Sequence, residues 1–184
     1  IVFPLSLPSL EWVRWKGETT MTNEQLEVEL KTLHDLLQIG GYDEQRAKSL
    51  ARLAVTIGRL PMSVEVLCKQ GRLCDIPGVG ATTAALLSEY ILTGTSQRRK
   101  IWEQRIPKGV LQLLAIPGIG VKTVRRLYQQ WGIESVEALE RAVRQGTLRG
   151  LDTRTTTTLR AHFVRQTRLQ RPQETLSLFA EEAY

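Results

Sequence analysis

Leu113-Leu114-Ala115-Ile116-Pro117-Gly118-Ile119-Gly120-Val121-Lys122-Thr123-Val124 is the most informative segment of this 184-residue chain. It returns 40 residues earlier as Leu73-Cys74-Asp75-Ile76-Pro77-Gly78-Val79-Gly80-Ala81-Thr82-Thr83-Ala84. The residue before a proline is pushed out of the α region, so a short helix ends at each Ile-Pro. The first glycine can take a positive φ, which other residues resist. The branched residue between the glycines, Val79 or Ile119, plugs the gap between two helices. The second glycine brings the backbone close to whatever lies outside. The helix that follows begins with unpaired N–H groups and a partial positive charge. Main chain alone then makes an anion site suited to a nucleic-acid phosphate, with no base edge read. A degenerate third copy is expected at Leu148-Arg149-Gly150-Leu151-Asp152-Thr153-Arg154-Thr155, with Thr153 and Thr155 in the two glycine places.

The flanking sequence is helical in period. Leu26, Leu30, Leu33, Leu36 and Leu37 fall on one helix face, capped near Asn23 and ended by Gly40-Gly41. Asp43 starts a second helix, with Ala47, Leu50, Leu53, Ala54 and Ile57 inward. Pro61 opens a short third, through Val64 and Leu67. Pro107 stands in the first turn of another, with Leu111 and Leu114 on one face. Residues 134–145, 155–169 and 173–183 also read as helices. No run alternates strictly over more than four residues. The fold class expected is all-α: short helices with two hairpin motifs and a degenerate third.

Net charge is +6, from 25 Lys and Arg against 19 Asp and Glu. Residues 98–168 hold fifteen basic and five acidic residues, net +10. Residues 21–97 hold seven basic and nine acidic, net −2. The basic excess therefore surrounds the second hairpin and points to an acidic partner. Cys68 and Cys74, separated by five residues, with His34 and His162 far on either side, do not have the spacing of a Cys/His zinc finger, and two cysteines do not make a disulfide framework. Cys68 and Cys74 are expected to be packed thiols of a reduced, intracellular protein. No segment reaches the ~18–20 apolar residues of a membrane helix. The first methionine is Met21, and residues 1–20 are expected to be a leader outside the functional chain. The domains expected are 21–95, a small helical domain with the first hairpin, and 96–169, a basic subdomain with the second. Residues 170–184 follow as a tail or the start of a further domain.

The repeated segment resembles the helix-hairpin-helix motif. Its DNA-binding residues would be Gly78, Val79, Gly80, Thr82 and Thr83 in the first copy. In the second they would be Gly118, Ile119, Gly120, Lys122, Thr123, Arg125 and Arg126, of which not all four polar side chains can face one phosphate. In related hairpins, loop carbonyls hold a monovalent cation, sodium or potassium. By position these are Leu114, Ile116 and Ile119, or Cys74, Ile76 and Val79. No other cofactor is expected.

From about Asn23 to Arg168 the chain also resembles the N-terminal part of family X DNA polymerases. The matching pieces are the Glu27–Leu37 helix, Arg46-Ala47 through Leu53-Ala54, and Gly71-Arg72-Leu73. They continue with Glu89-Tyr90-Ile91-Leu92-Thr93-Gly94-Thr95, Arg125-Arg126-Leu127-Tyr128 and Gly132-Ile133-Glu134-Ser135. The resemblance implies sequence-independent binding of gapped, nicked or primer-template DNA in repair, by a cytoplasmic, nucleoid-associated protein. Nucleotide transfer would belong to a palm domain, whose paired metals need clustered carboxylates; the acidic residues of 98–168 are scattered singly. The chain itself is therefore expected not to be an enzyme. Some family members carry a deoxyribose-phosphate lyase, which needs a Schiff-base lysine. Leu86 stands at that position, and Leu50 at that of a helper tyrosine. Lyase activity and a protein-interaction module are the alternatives to DNA holding. His34 and His162 have no partner constellation. Trp102, Trp131 and Tyr128 are expected to pack or to cover helix ends, with base stacking as the alternative. Arg160, Arg165 and Arg168 are expected on a basic face of the last long helix.

Overall fold

A computed structural model describes residues 21–170, with side chains through Thr167. The expectations for residues 1–20 and 173–183, and for the Arg168 side chain, lie outside this range. Among the described residues the fold is all-α. The helices are α1 (Asn23–Ile39), α2 (Glu44–Gly58), α3 (Val64–Lys69), α4 (Ala81–Thr93), α5 (Gln97–Arg105), α6 (Lys108–Gln112), α7 (Val121–Trp131), α8 (Val136–Gln145) and α9 (Thr153–Gln170). A 3-10 turn precedes each Ile-Pro, at Leu73–Asp75 and Leu113–Ala115. None of these helices is long and apolar enough to cross a membrane.

The chain divides into two compact units. Of the described residues, one comprises 21–29 with Leu53–Ser96; the other comprises Leu30–Arg52 with 97–170. The expected boundary after residue 95 lies one residue from the third junction, between Ser96 and Gln97. Leu30–Arg52, however, groups with the basic segment. The reason is packing: Leu36 and Ile39 lie in one buried cluster with Val110, Leu113, Val124, Leu127 and Leu139.

In the first unit, α3, α4 and the intervening turn bury Val64, Leu67, Leu73, Ile76, Val79, Leu87, Tyr90 and Ile91. The cap of α1 is Thr22, one residue before the position expected. Its hydroxyl accepts from the Gln25 N–H at 3.2 Å, and the Gln25 side chain accepts from the Thr22 N–H at 2.9 Å. This is the reciprocal capping box. Asn23 instead clamps the loop after α2. Its amide donates to the Leu60 and Met62 carbonyls, and its carbonyl accepts from the Val64 N–H at 2.9 Å.

In the second unit, α6 to α9 enclose the cluster just named, together with Ile116, Ile119, Ile133 and Phe163. The α5 helix was not expected. Its sequence has no apolar stripe and it buries none of its residues fully. Trp102 anchors it: the ring lies against Gly40 and meets Tyr42 edge-on at 5.9 Å, and Arg105 stands over it at 5.2 Å. Trp131 and Tyr128 also pack against the core.

Candidate nucleic-acid interface

Both hairpins have the geometry their sequence requires. Gly78 and Gly118 take φ +85 and +82, and the Val79 and Ile119 N–H groups donate back to Ile76 and Ile116 at 3.0 and 3.2 Å. Ile76, Val79, Ile116 and Ile119 are buried, so the loop closes over its own plug. Gly80 and Gly120 are extended (φ −99 and −100) and sit at the N-caps of α4 and α7. A Cβ built on either would meet no atom within 4 Å. Internal packing therefore does not require a glycine at either second position.

The helix starts that follow differ from those of α1, α2 and α8. Thr22 caps α1, Asp43 accepts from the Arg46 N–H of α2 at 2.8 Å, and Ser135 accepts from the Ala138 N–H of α8 at 3.2 Å. The α4 and α7 helices have no side-chain cap and no acidic residue in the first turn. Their unpaired N–H groups and positive end stay available to an outside anion. At α4 the neighbouring Thr82 is exposed and Thr83 half-buried. At α7, Lys122 is exposed and Thr123 half-buried.

Lys122, Arg125 and Arg126, which follow the second hairpin, have different partners. The Lys122 ammonium extends toward Glu44, 4.0 Å from its carboxylate. Arg125 donates to the Gln129 side chain at 3.2 Å, and Gln129 donates to the Ile39 carbonyl at 3.0 Å. Arg126 turns away, donating to the Gly150 carbonyl at 3.0 Å and standing 5.7 Å from the centre of the Trp131 ring. Its side chain stays exposed there.

The third copy is real, but its register differs from the one expected. Gly150, at φ +85, takes the place of Gly118. The Leu151 N–H donates to the Leu148 carbonyl at 3.4 Å, repeating the loop bond of the other hairpins. Asp152 then occupies the place of Gly120, and Thr153 opens α9. The Asp152 carboxylate accepts from the Thr155 N–H at 3.3 Å and its hydroxyl at 3.4 Å. A built-in carboxylate thus sits where the other hairpins leave room for an anion. The Gly150-Leu151 pair was the sequence signal; loss of the second glycine hid it.

The comparisons with known proteins agree with this duplication. Residues 110–151 match the SAM-like helix-hairpin-helix tandem. The matched span holds the second hairpin and the first part of the third, through Leu151 and short of α9. The chain is also similar to the DNA polymerase/3'-5' exonuclease PolX of Bacillus subtilis, 25% identical over 122 residues. That alignment covers 66% of this chain and 21% of the relative, so the chain spans about a fifth of the relative's length. The resemblance to an N-terminal part of family X polymerases is thereby supported.

The remaining expected residues fall as follows. Cys68 is half-buried, with its thiol 3.7 Å from the Ser88 hydroxyl; Cys74 is exposed, not packed. His34 Nδ1 donates to the Ala47 carbonyl at 2.8 Å, and His162 meets Phe163 edge-on. Arg160 and Arg165 are exposed on α9. Leu50 is buried and Leu86 half-buried. No cluster of His, Cys, Asp and Glu fit for a metal occurs among the described residues. The Ile116 carbonyl, expected to hold a cation, already accepts the Ile119 N–H and keeps one further lone pair.

Proposed function

We propose that this chain holds DNA through its backbone phosphates, without reading sequence, as the DNA-gripping part of a family X-like repair polymerase. One observation carries the reading: α4 and α7 begin without cap or acidic residue, directly behind Gly80 and Gly120 with open space outside each. Phosphate oxygens would accept the N–H groups of both helix starts. Lys122, Thr123 and Arg125 add charge and hydroxyl contacts at the second. The net +10 of residues 98–168 attracts the same ligand over a longer range. A gap, nick or primer terminus would offer strands to both hairpins, and the chain would reside with the nucleoid in the cytoplasm.

The oxygen-only donors at Leu114, Ile116 and Ile119 suit sodium or potassium, which would place positive charge beside the phosphate. Schiff-base chemistry is not part of the reading, since apolar Leu86 and Leu50 stand at the lyase positions. The test is a titration of gapped duplex DNA at rising salt. Log affinity should fall linearly with log salt, by about 0.9 per phosphate neutralised. Absence of binding at low salt would overturn the reading.

A further inference from the structure

We propose that a depression beside the second hairpin is a further subsite for a phosphate of the same nucleic-acid strand. The depression encloses about 480 Å³ and is lined by His34, Gln38, Lys48, Arg52 and Lys122, among others. Its side chains come from α1, α2 and the first turn of α7, all within the second unit. Three permanent cations face one concavity, so it attracts anions more strongly than an isolated surface lysine does. Lys122 joins it to the hairpin, because the same residue stands on the open first turn of α7.

An anion already rests at the rim. The Glu44 carboxylate lies 2.9 Å from Lys48 and 4.0 Å from Lys122. The Lys48 hydrogen bond and charge, and then the Lys122 charge, hold its carboxyl below the usual range. The field at this point therefore favours negative charge. Glu44 is the internal competitor of an incoming phosphate, which would draw Lys122 and Lys48 toward itself. A strand gripped at Gly120 would continue over the depression, with Lys48 and Arg52 one helical turn apart on its floor.

This subsite rests on the DNA-holding reading, and the experiment separates the two. Binding of a gapped duplex by the full chain is measured against salt for wild type, Lys48→Ala with Arg52→Ala, Glu44→Gln, and a control, Arg59→Ala, in the other unit. All four side chains are exposed, and thermal melting checks the fold of each variant. The double variant should bind about tenfold more weakly, with a salt slope shallower by about 0.9. Glu44→Gln should bind about two- to fivefold more tightly, and the control should match wild type. If wild type binds and the double variant keeps its slope, the subsite alone is overturned. If wild type does not bind, both readings fall. Inorganic tripolyphosphate is titrated in parallel. Loss of its binding in the double variant, with an unchanged DNA slope, would mark a site for free polyphosphate and overturn the strand assignment.

Discussion

Single residues divide into those that shape the hairpin and those that leave it open. Gly118 and Gly120 are two positions apart and do opposite things. At Gly118 the positive φ forbids a side chain, and a Cβ would also come within 2.9 Å of the Thr158 methyl. Gly118→Val should therefore destabilise the second unit by roughly 1–3 kcal/mol, seen as a lowered melting temperature, and any loss of binding would follow from that. Gly120→Val should cost only about 0.5–1 kcal/mol of stability as a poorer N-cap and weaken DNA binding roughly 10- to 100-fold, by blocking hydrogen bonds to a charged ligand. Equal binding by Gly120→Val and wild type would assign the hairpin to packing alone. Asp35 offers a test by pH. Burial raises its carboxyl above the ordinary 3.8, against the opposing pull of His34. A raised acid binds its proton more tightly when folded, so its stabilising contribution is complete below 3.8 and lost as pH rises through the folded value. Asp35→Asn should accordingly melt higher than wild type at neutral pH, with the difference closing as pH falls toward 3.8.

At the scale of elements, the helix starts distinguish structure from binding. Ser135→Ala removes the bond from the Ala138 N–H and should cost about 1 kcal/mol of stability without touching DNA affinity. Asp152→Gly restores the second glycine of the third hairpin. Glycine is a tolerable N-cap, so stability should fall by only a few tenths of a kcal/mol. The uncovered start of α9 should then take up a phosphate, steepening the salt slope by about 0.9. An unchanged slope would show that the third hairpin faces away from the strand. Periodicity made α1, α2, α7 and α8 legible, because each buries one apolar stripe. It missed α5, where Gln97–Arg105 offers only Ile101 and Trp102 as large apolar residues and Trp102 is fixed by Gly40, far away in sequence. Both hairpin loops were readable to the residue, since proline and glycine encode their turns locally. The third was not, because an aspartate had replaced the glycine that marks the motif.

For the whole molecule, the charge division seen in the sequence acquires a different boundary. Leu30–Arg52 carries Lys48 and Arg52 into the basic unit, along with the Glu44 that opposes them. Sequence order hides this grouping, because it depends on Leu36 and Ile39 joining the core of the later helices. For the same reason, nothing in the sequence showed Lys122 meeting α2 or Arg126 bonding the Gly150 carbonyl. The tandem also carries an asymmetry. Its two hairpins share one backbone design, yet Asp152 satisfies one from within while Gly120 leaves the other wanting. Duplication by itself would give a two-handed clasp, indifferent to which strand of a duplex lay in which hand. With one hand already closed on its own carboxylate, the clasp is lopsided: one helix start is satisfied from within and the other stays open. If the chain holds DNA as proposed, this asymmetry would give it a sense of direction along the strand.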